Sequence, residues 1–172
     1  MKEIDVYKVL EGKNPKLARR VPRFVVDYLR RTIHEREVNE ILARFGDLEG
    51  IAFVRAALGY MNVRYHSVGM ERLNPEGRYV FASNHPFGGM DGLMLADEVA
   101  RYFGDVRVVV NDLLMYLGPL RGLFVPVNKH GRQDAGSVEA FNNAFASDVP
   151  IVTFPAGLCS RRRRGVVRDL EW

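Results

Sequence analysis

One cysteine, Cys159, stands in 172 residues. A lone thiol excludes an intramolecular disulfide and any all-cysteine metal site, and it fits a reducing compartment. No apolar run reaches the ~18 residues that would span a bilayer. The start, Met1-Lys2-Glu3-Ile4-Asp5-Val6, lacks a basic stretch followed by an apolar one, so the sequence predicts no secretory signal. Lysine is scarce, with 5 against 20 arginines. Arginine presents a planar fork that grips phosphate or carboxylate at two points, where lysine acts as a point charge. The four histidines and scattered aspartates show no metal-ligand spacing, which predicts no metal.

What is present is globular. The 47% hydrophobic and 27% charged fractions argue against disorder. A chain of this length buries roughly 70% of its unfolded surface and needs no staple. The rhythm divides it into an N-terminal helical region, 1–61, and an α/β region, 62–172. Residues 1–15 read as polar and irregular. Asn14-Pro15 then starts an amphipathic helix over 16–33, with Leu17, Val21, Phe24, Val25, Tyr28, Leu29 and Ile33 on one face and arginines elsewhere. That helix either packs on the core or lies on a membrane surface; core packing is the expectation, with the arginines left for headgroups. Helices over 35–45 and 48–59 follow, the second apolar on all sides and therefore expected to be buried.

After Met61 the pattern becomes strand-like: 62–69 alternating, 78–84, 106–110, 123–128 and 150–154. Helices over 91–103 and 137–145 separate the later strands. Pro126 predicts that the 123–128 strand lies at an edge or a bulge. The order predicts an α/β fold, with N-terminal helices before a mixed, partly parallel sheet flanked by helices.

Two segments carry chemistry. In Phe81-Ala82-Ser83-Asn84-His85-Pro86-Phe87-Gly88-Gly89-Met90-Asp91-Gly92, a buried strand runs into a histidine. A glycine turn then leads to an aspartate at a helix head. Open α/β sheets hold ligands at the carboxyl ends of their strands. Asp91 folded back onto His85 would fix the imidazole tautomer and make a general base. The plainer alternative makes Asp91 a helix cap and His85 a polar strand end. In Ile151-Val152-Thr153-Phe154-Pro155-Ala156-Gly157-Leu158-Cys159-Ser160, a second buried strand leads to Arg161, Arg162, Arg163 and Arg164. Four adjacent arginines suit a phosphate, a polyanion or an anionic membrane; a solvated loop is the plainer reading.

Together the segments resemble the glycerolipid (lysophosphatidic-acid type) acyltransferase superfamily. Its signature is Asn-His, four residues and Asp, then Gly-x-Phe-x-x-x-Arg, then Phe-Pro-Glu-Gly-Thr-Arg-Ser. Order and spacing agree over residues 78–165, with Gly122, Asn128 and Lys129 in the middle stretch. Here five residues separate His85 from Asp91. Ala156, Leu158 and Cys159 replace the family's Glu, Thr and Arg, and Asn128 or Lys129 its middle Arg. The variant is similar to a bacterial subgroup labelled hemolysin and to O-acyltransferases that complete aminolipids such as ornithine and glycine lipids. Loss of the Glu and Arg is consistent with a non-phosphate acceptor.

The resemblance implies a membrane-peripheral O-acyltransferase on the cytoplasmic side of a bacterial inner membrane. His85 would be the base and Asp91 its partner. Asn84, Gly88, Gly89, Gly122, Asn128, Lys129, Gly157, Ser160, Arg161, Arg162, Arg163 and Arg164 would meet substrate. Backbone N–H groups at Gly88-Gly89 or near Gly157 are candidate oxyanion donors. No bound cofactor is implied; the co-substrate is an acyl-CoA or acyl carrier protein thioester, and the partners are a lysolipid acceptor and an anionic membrane surface. Thioester hydrolysis is the alternative within enzymes. A nucleic-acid-binding module fits the basic charge but leaves His85 and Asp91 idle, so no nucleic-acid partner is expected. Cys159 is expected to pack rather than react, and His130 to lie on the surface. The family usually continues with a further helix and a strand carrying Val-Pro, so a sheet incomplete at the C-terminal side is also expected.

Overall fold

A computed structural model describes residues 3–128 and 134–172. The N-terminal part is helical from earlier than the polar composition suggests. Asp5 accepts hydrogen bonds from the N–H groups of Tyr7 and Lys8 and caps α1, Val6–Lys13. Asn14 caps the short α2, Pro15–Ala18. The helix expected over 16–33 is broken, because Pro22 has no N–H to continue it and precedes α3, Arg23–Thr32. Core packing of its apolar face is overturned too: Val26 is buried, but Phe24 is 74% and Tyr28 67% exposed. His34, in the left-handed region at φ 54°, turns the chain into α4, Glu35–Phe45. In α5, Gly50–Tyr60, burial is confined to one face, through Phe53, Val54, Ala57 and Leu58, while Ala52 and Gly59 meet solvent.

The alternating segment 62–69 forms no strand. Its apolar residues, Val63 and Tyr65, pack on the core without a pairing partner. The strands that do pair are β1 (Val80–Ala82), β2 (Arg107–Asn111), β3 (Phe124–Val127) and β4 (Ile151–Thr153). Helix α6, Gly89–Phe103, joins β1 to β2; α7, Ala135–Ala146, joins β3 to β4. The sheet order is β1-β4-β2-β3, parallel throughout. Pro126 therefore sits on an edge strand, where its missing N–H costs no interior ladder bond.

Registered residues share a face. Phe81, Val152, Val108 and Phe124 lie on one level. All four belong to the core built with α4, α5 and α6, where Val54, Val99, Val106 and Val152 are fully enclosed. The β1-to-β2 and β3-to-β4 connections run in opposite directions across the sheet, so right-handed crossovers set α6 and α7 on opposite faces.

Beyond β4 the chain makes a hairpin that the charge run concealed. β5, Arg161–Arg163, pairs antiparallel with β6, Val166–Arg168. Arg164 and Gly165 turn between them at φ 50° and 83°, the positive pair a two-residue hairpin needs.

Candidate active site

The chain advances from β1 to β2 and β3, then returns to place β4 beside β1. The two chemical segments therefore leave the carboxyl ends of adjacent parallel strands, where such sheets open a crevice. A Ser83 N–H to Thr153 carbonyl bond of 3.1 Å extends the pairing one residue further. His85 follows two residues later.

The turn after His85 depends on Gly88, at φ 68° and ψ −135°, a conformation side chains resist. A Cβ there would also lie 3.3 Å from the Cys159 sulfur. Gly88 takes the positive φ of the turn; Gly89 begins the helix and is open on its side-chain face. Asp91 occupies the first turn of α6, where the helix dipole favours a carboxylate. Its Oδ2 accepts the Phe87 N–H at 2.8 Å, which fixes the side chain toward the turn.

The same oxygen lies 3.2 Å from His85 Nδ1, with the side chains 19% and 10% exposed. Nδ1 is buried and the contact falls off the line of a good hydrogen bond. With Nδ1 turned to the carboxylate, Nε2 on the opposite side of the ring faces away from it. Phe154, just past β4, supports the ring with centroids 4.2 Å apart and planes at 31°.

The second segment clasps the first through its backbone. Phe154's carbonyl accepts the Gly157 N–H at 2.8 Å, and Gly157 turns at φ 62°. The Ser160 N–H then donates to the His85 carbonyl at 3.0 Å. Asp169, one residue beyond β6, bonds both segments. One oxygen accepts Asn84 Nδ2 at 2.7 Å, the other Ser160 Oγ at 2.5 Å. Trp172 Nε1 donates to Asn84 Oδ1 at 3.2 Å, though its ring is 65% exposed.

Asn84, Gly88, Gly89, Gly157 and Ser160 thus gather around His85 and Asp91. Gly122 does not. It precedes β3, at the amino end of a strand parallel to β1, and so lies at the opposite end of the sheet. Asn128 follows β3 at the carboxyl end. Lys129 and His130 lie outside the described residues. Arg161 and Arg164 are exposed, and Arg162 and Arg163 lie in β5. Cys159 is exposed, its sulfur turned to Gly88. Asp169, Trp172 and Phe154 are contributions that sequence reasoning missed. The Arg164-Gly165 turn followed by the β-branched Val166 and Val167 is the signal that would have returned the chain to the site. Among the described residues, no helix is long and apolar enough to cross a membrane.

The sequence pattern of the family described as acyltransferase matches residues 8–172. A lyso-glycine lipid O-acyltransferase of Bacteroides thetaiotaomicron is 44% identical over 170 residues, which are 98% of this chain and 62% of that protein. A lyso-glycine lipid O-acyltransferase of Phocaeicola vulgatus is 41% identical over 170 residues, 98% of this chain and 61% of that protein. The chain therefore spans about three fifths of the length of these relatives. No solved structure matches.

Proposed function

The chain belongs to the acyltransferase family, and from this premise we propose that it moves a fatty acyl group from a thioester to the hydroxyl of a lysolipid of the glycine-lipid kind. The observation that carries the reading is His85 Nδ1 3.2 Å from Asp91 at the joined ends of β1 and β4. His85 Nε2 takes the acceptor's hydroxyl proton as the oxygen attacks the thioester carbonyl. Asp91 holds the imidazole and favours the imidazolium that forms. Collapse of the tetrahedral adduct breaks the C–S bond, and the imidazolium returns its proton to the leaving thiolate. One ester and one thiol result, with no covalent enzyme intermediate. General-base help of this kind supplies ~10²–10⁴-fold. The Asp91 N–H is taken by the Gly88 carbonyl at 3.0 Å, which leaves the N–H groups of Gly89 and Met90 at the start of α6 as the donors for the developing oxyanion.

The donor is a coenzyme A or acyl carrier protein thioester, and the enzyme works at the cytoplasmic surface of the inner membrane. Exposed side chains support the membrane location. Phe87 and Leu158 flank the site, and α3 carries Phe24 and Tyr28 beside Arg19, Arg20, Arg23 and Arg31. Gly12 sits against the Tyr116 hydroxyl, which brings the end of α1 to the turn after β2, at the carboxyl end of the sheet. Arg161 stands directly opposite Arg168 across the hairpin. Like charges so paired repel unless an anion lies between them, which suits a lipid headgroup.

The test is a transfer assay with acyl-CoA and acyl carrier protein thioesters against a panel of aminoacyl and phosphorylated lysolipids, with His85→Ala beside it. Acyl on lipid in the wild type alone supports the reading. Free fatty acid in place of acyl lipid would make the protein a thioester hydrolase.

A further inference from the structure

We propose that Asp169 is a positioning residue for this site, tying together the two segments that hold His85. The inference rests on the functional reading above. The carboxylate bridges Asn84 Nδ2 and Ser160 Oγ, which come from the ends of β1 and β4. Both partners touch the backbone of His85. Asn84 is the preceding residue, and the Ser160 N–H holds the His85 carbonyl at 3.0 Å.

The donor and acceptor chemistry leaves the Asn84 amide one orientation. Its nitrogen must face the carboxylate, which only accepts, and its oxygen the indole N–H of Trp172, which only donates. The β5–β6 hairpin is the device that delivers this carboxylate. It reverses the chain so that residue 169 returns to Ser160, from which it left.

All these polar groups are exposed. Each bond therefore adds little to global stability. Position is another matter, since a 1 Å displacement of a catalytic group can cost ~10²-fold in rate. Loss of Asp169 should consequently appear in turnover rather than in folding or in acceptor binding.

Two substitutions and two readouts test this. Asp169→Ala removes both bonds. Asp169→Asn keeps them, because its oxygen still accepts from Asn84 and its NH₂ donates to the Ser160 hydroxyl. Asp169→Ala should lower kcat for acyl transfer about tenfold or more, with acceptor KM within about threefold. Asp169→Asn should recover most of the loss. Independently of transfer, trypsin should cut among Arg161, Arg164 and Arg168 several-fold faster in Asp169→Ala than in the wild type or Asp169→Asn, because the freed hairpin opens more often.

An unchanged cleavage rate in Asp169→Ala, or transfer at the wild-type rate, would overturn the proposal. So would an Asp169→Asn variant as slow as Asp169→Ala, which would make the charge itself the agent. A lower acceptor KM in Asp169→Ala would also overturn it, since the carboxylate would then be competing with substrate. A wild type that transfers to no lysolipid defeats the functional reading instead, and the cleavage rates still decide the tie.

Discussion

Single atoms decide the chemistry at His85. Its Nδ1 faces only one carboxylate oxygen at close range, so His85→Ala should lower transfer by ~10²–10⁴-fold with an unchanged circular dichroism spectrum. Asp91→Asn should lower kcat at least ~10-fold, because an amide can present a donor to Nδ1 and favour the wrong tautomer. The adjacent glycines separate backbone need from helix preference. Gly88→Ala places a side chain at φ 68° and should lose about 1–3 kcal/mol in urea unfolding, together with activity. Gly89→Ala meets open space at a helix start and should fold as well as the wild type. Sequence spacing offered the pairing of His85 with Asp91, and it put both glycines alike in the turn between them. Only the helix start, placed two residues before Asp91, tells them apart. The position of Gly122 before β3, away from His85, was hidden for a related reason: a motif read along one dimension does not say at which end of a strand each residue falls.

Among the elements, α3 shows what an amphipathic pattern does and does not specify. The spacing of Phe24 and Tyr28 reads as one face, and it is one face, but periodicity alone cannot name the medium that covers it. Serine at both positions should leave stability within about 0.5 kcal/mol, because neither side chain is buried. Binding to anionic lipid vesicles should fall about tenfold or more if both rings insert; sedimentation with vesicles measures it. Boundaries were legible where a cap or proline acts locally, as at Asn14-Pro15. The α1 helix was missed because Asp5 caps it amid polar residues. Its place is fixed by distant contacts: the Val6 N–H to Glu35 at 2.8 Å, and Asn39 bonding both backbone groups of Ile4.

At the scale of the molecule, Asp97 joins the helical region to the α/β region. It accepts Arg55 Nε from α5 at 2.7 Å and the Tyr65 hydroxyl at 2.6 Å. Burial and the Asp97 hydrogen bond push the Tyr65 phenol up to about 12. A raised pKa stabilises the fold below the unfolded value of 10.0, and that contribution fades as pH rises from there toward 12. For Asp97, burial alone would raise the pKa, but the Tyr65 and Arg55 contacts outweigh it and hold the carboxyl low. Its contribution is present above the unfolded value of 3.8 and disappears as pH falls through the folded one. Urea midpoints across pH should therefore show an alkaline limb that Tyr65→Phe flattens. The four core strands were legible from their apolar runs, but their order was not, because pairing between distant segments leaves no local mark. That order has a kinetic corollary. Among the described residues, β4 is the sheet partner of β1 and lies some seventy residues downstream of it. During synthesis the β2–β3 pair can form first, while β1, the strand leading to His85, waits for Ile151–Thr153 to emerge. Loop closure over so long a segment is slow, so β1 and β4 should gain protection from hydrogen exchange last in refolding. The crevice beside His85 is then the last part of the four-stranded sheet to acquire its shape.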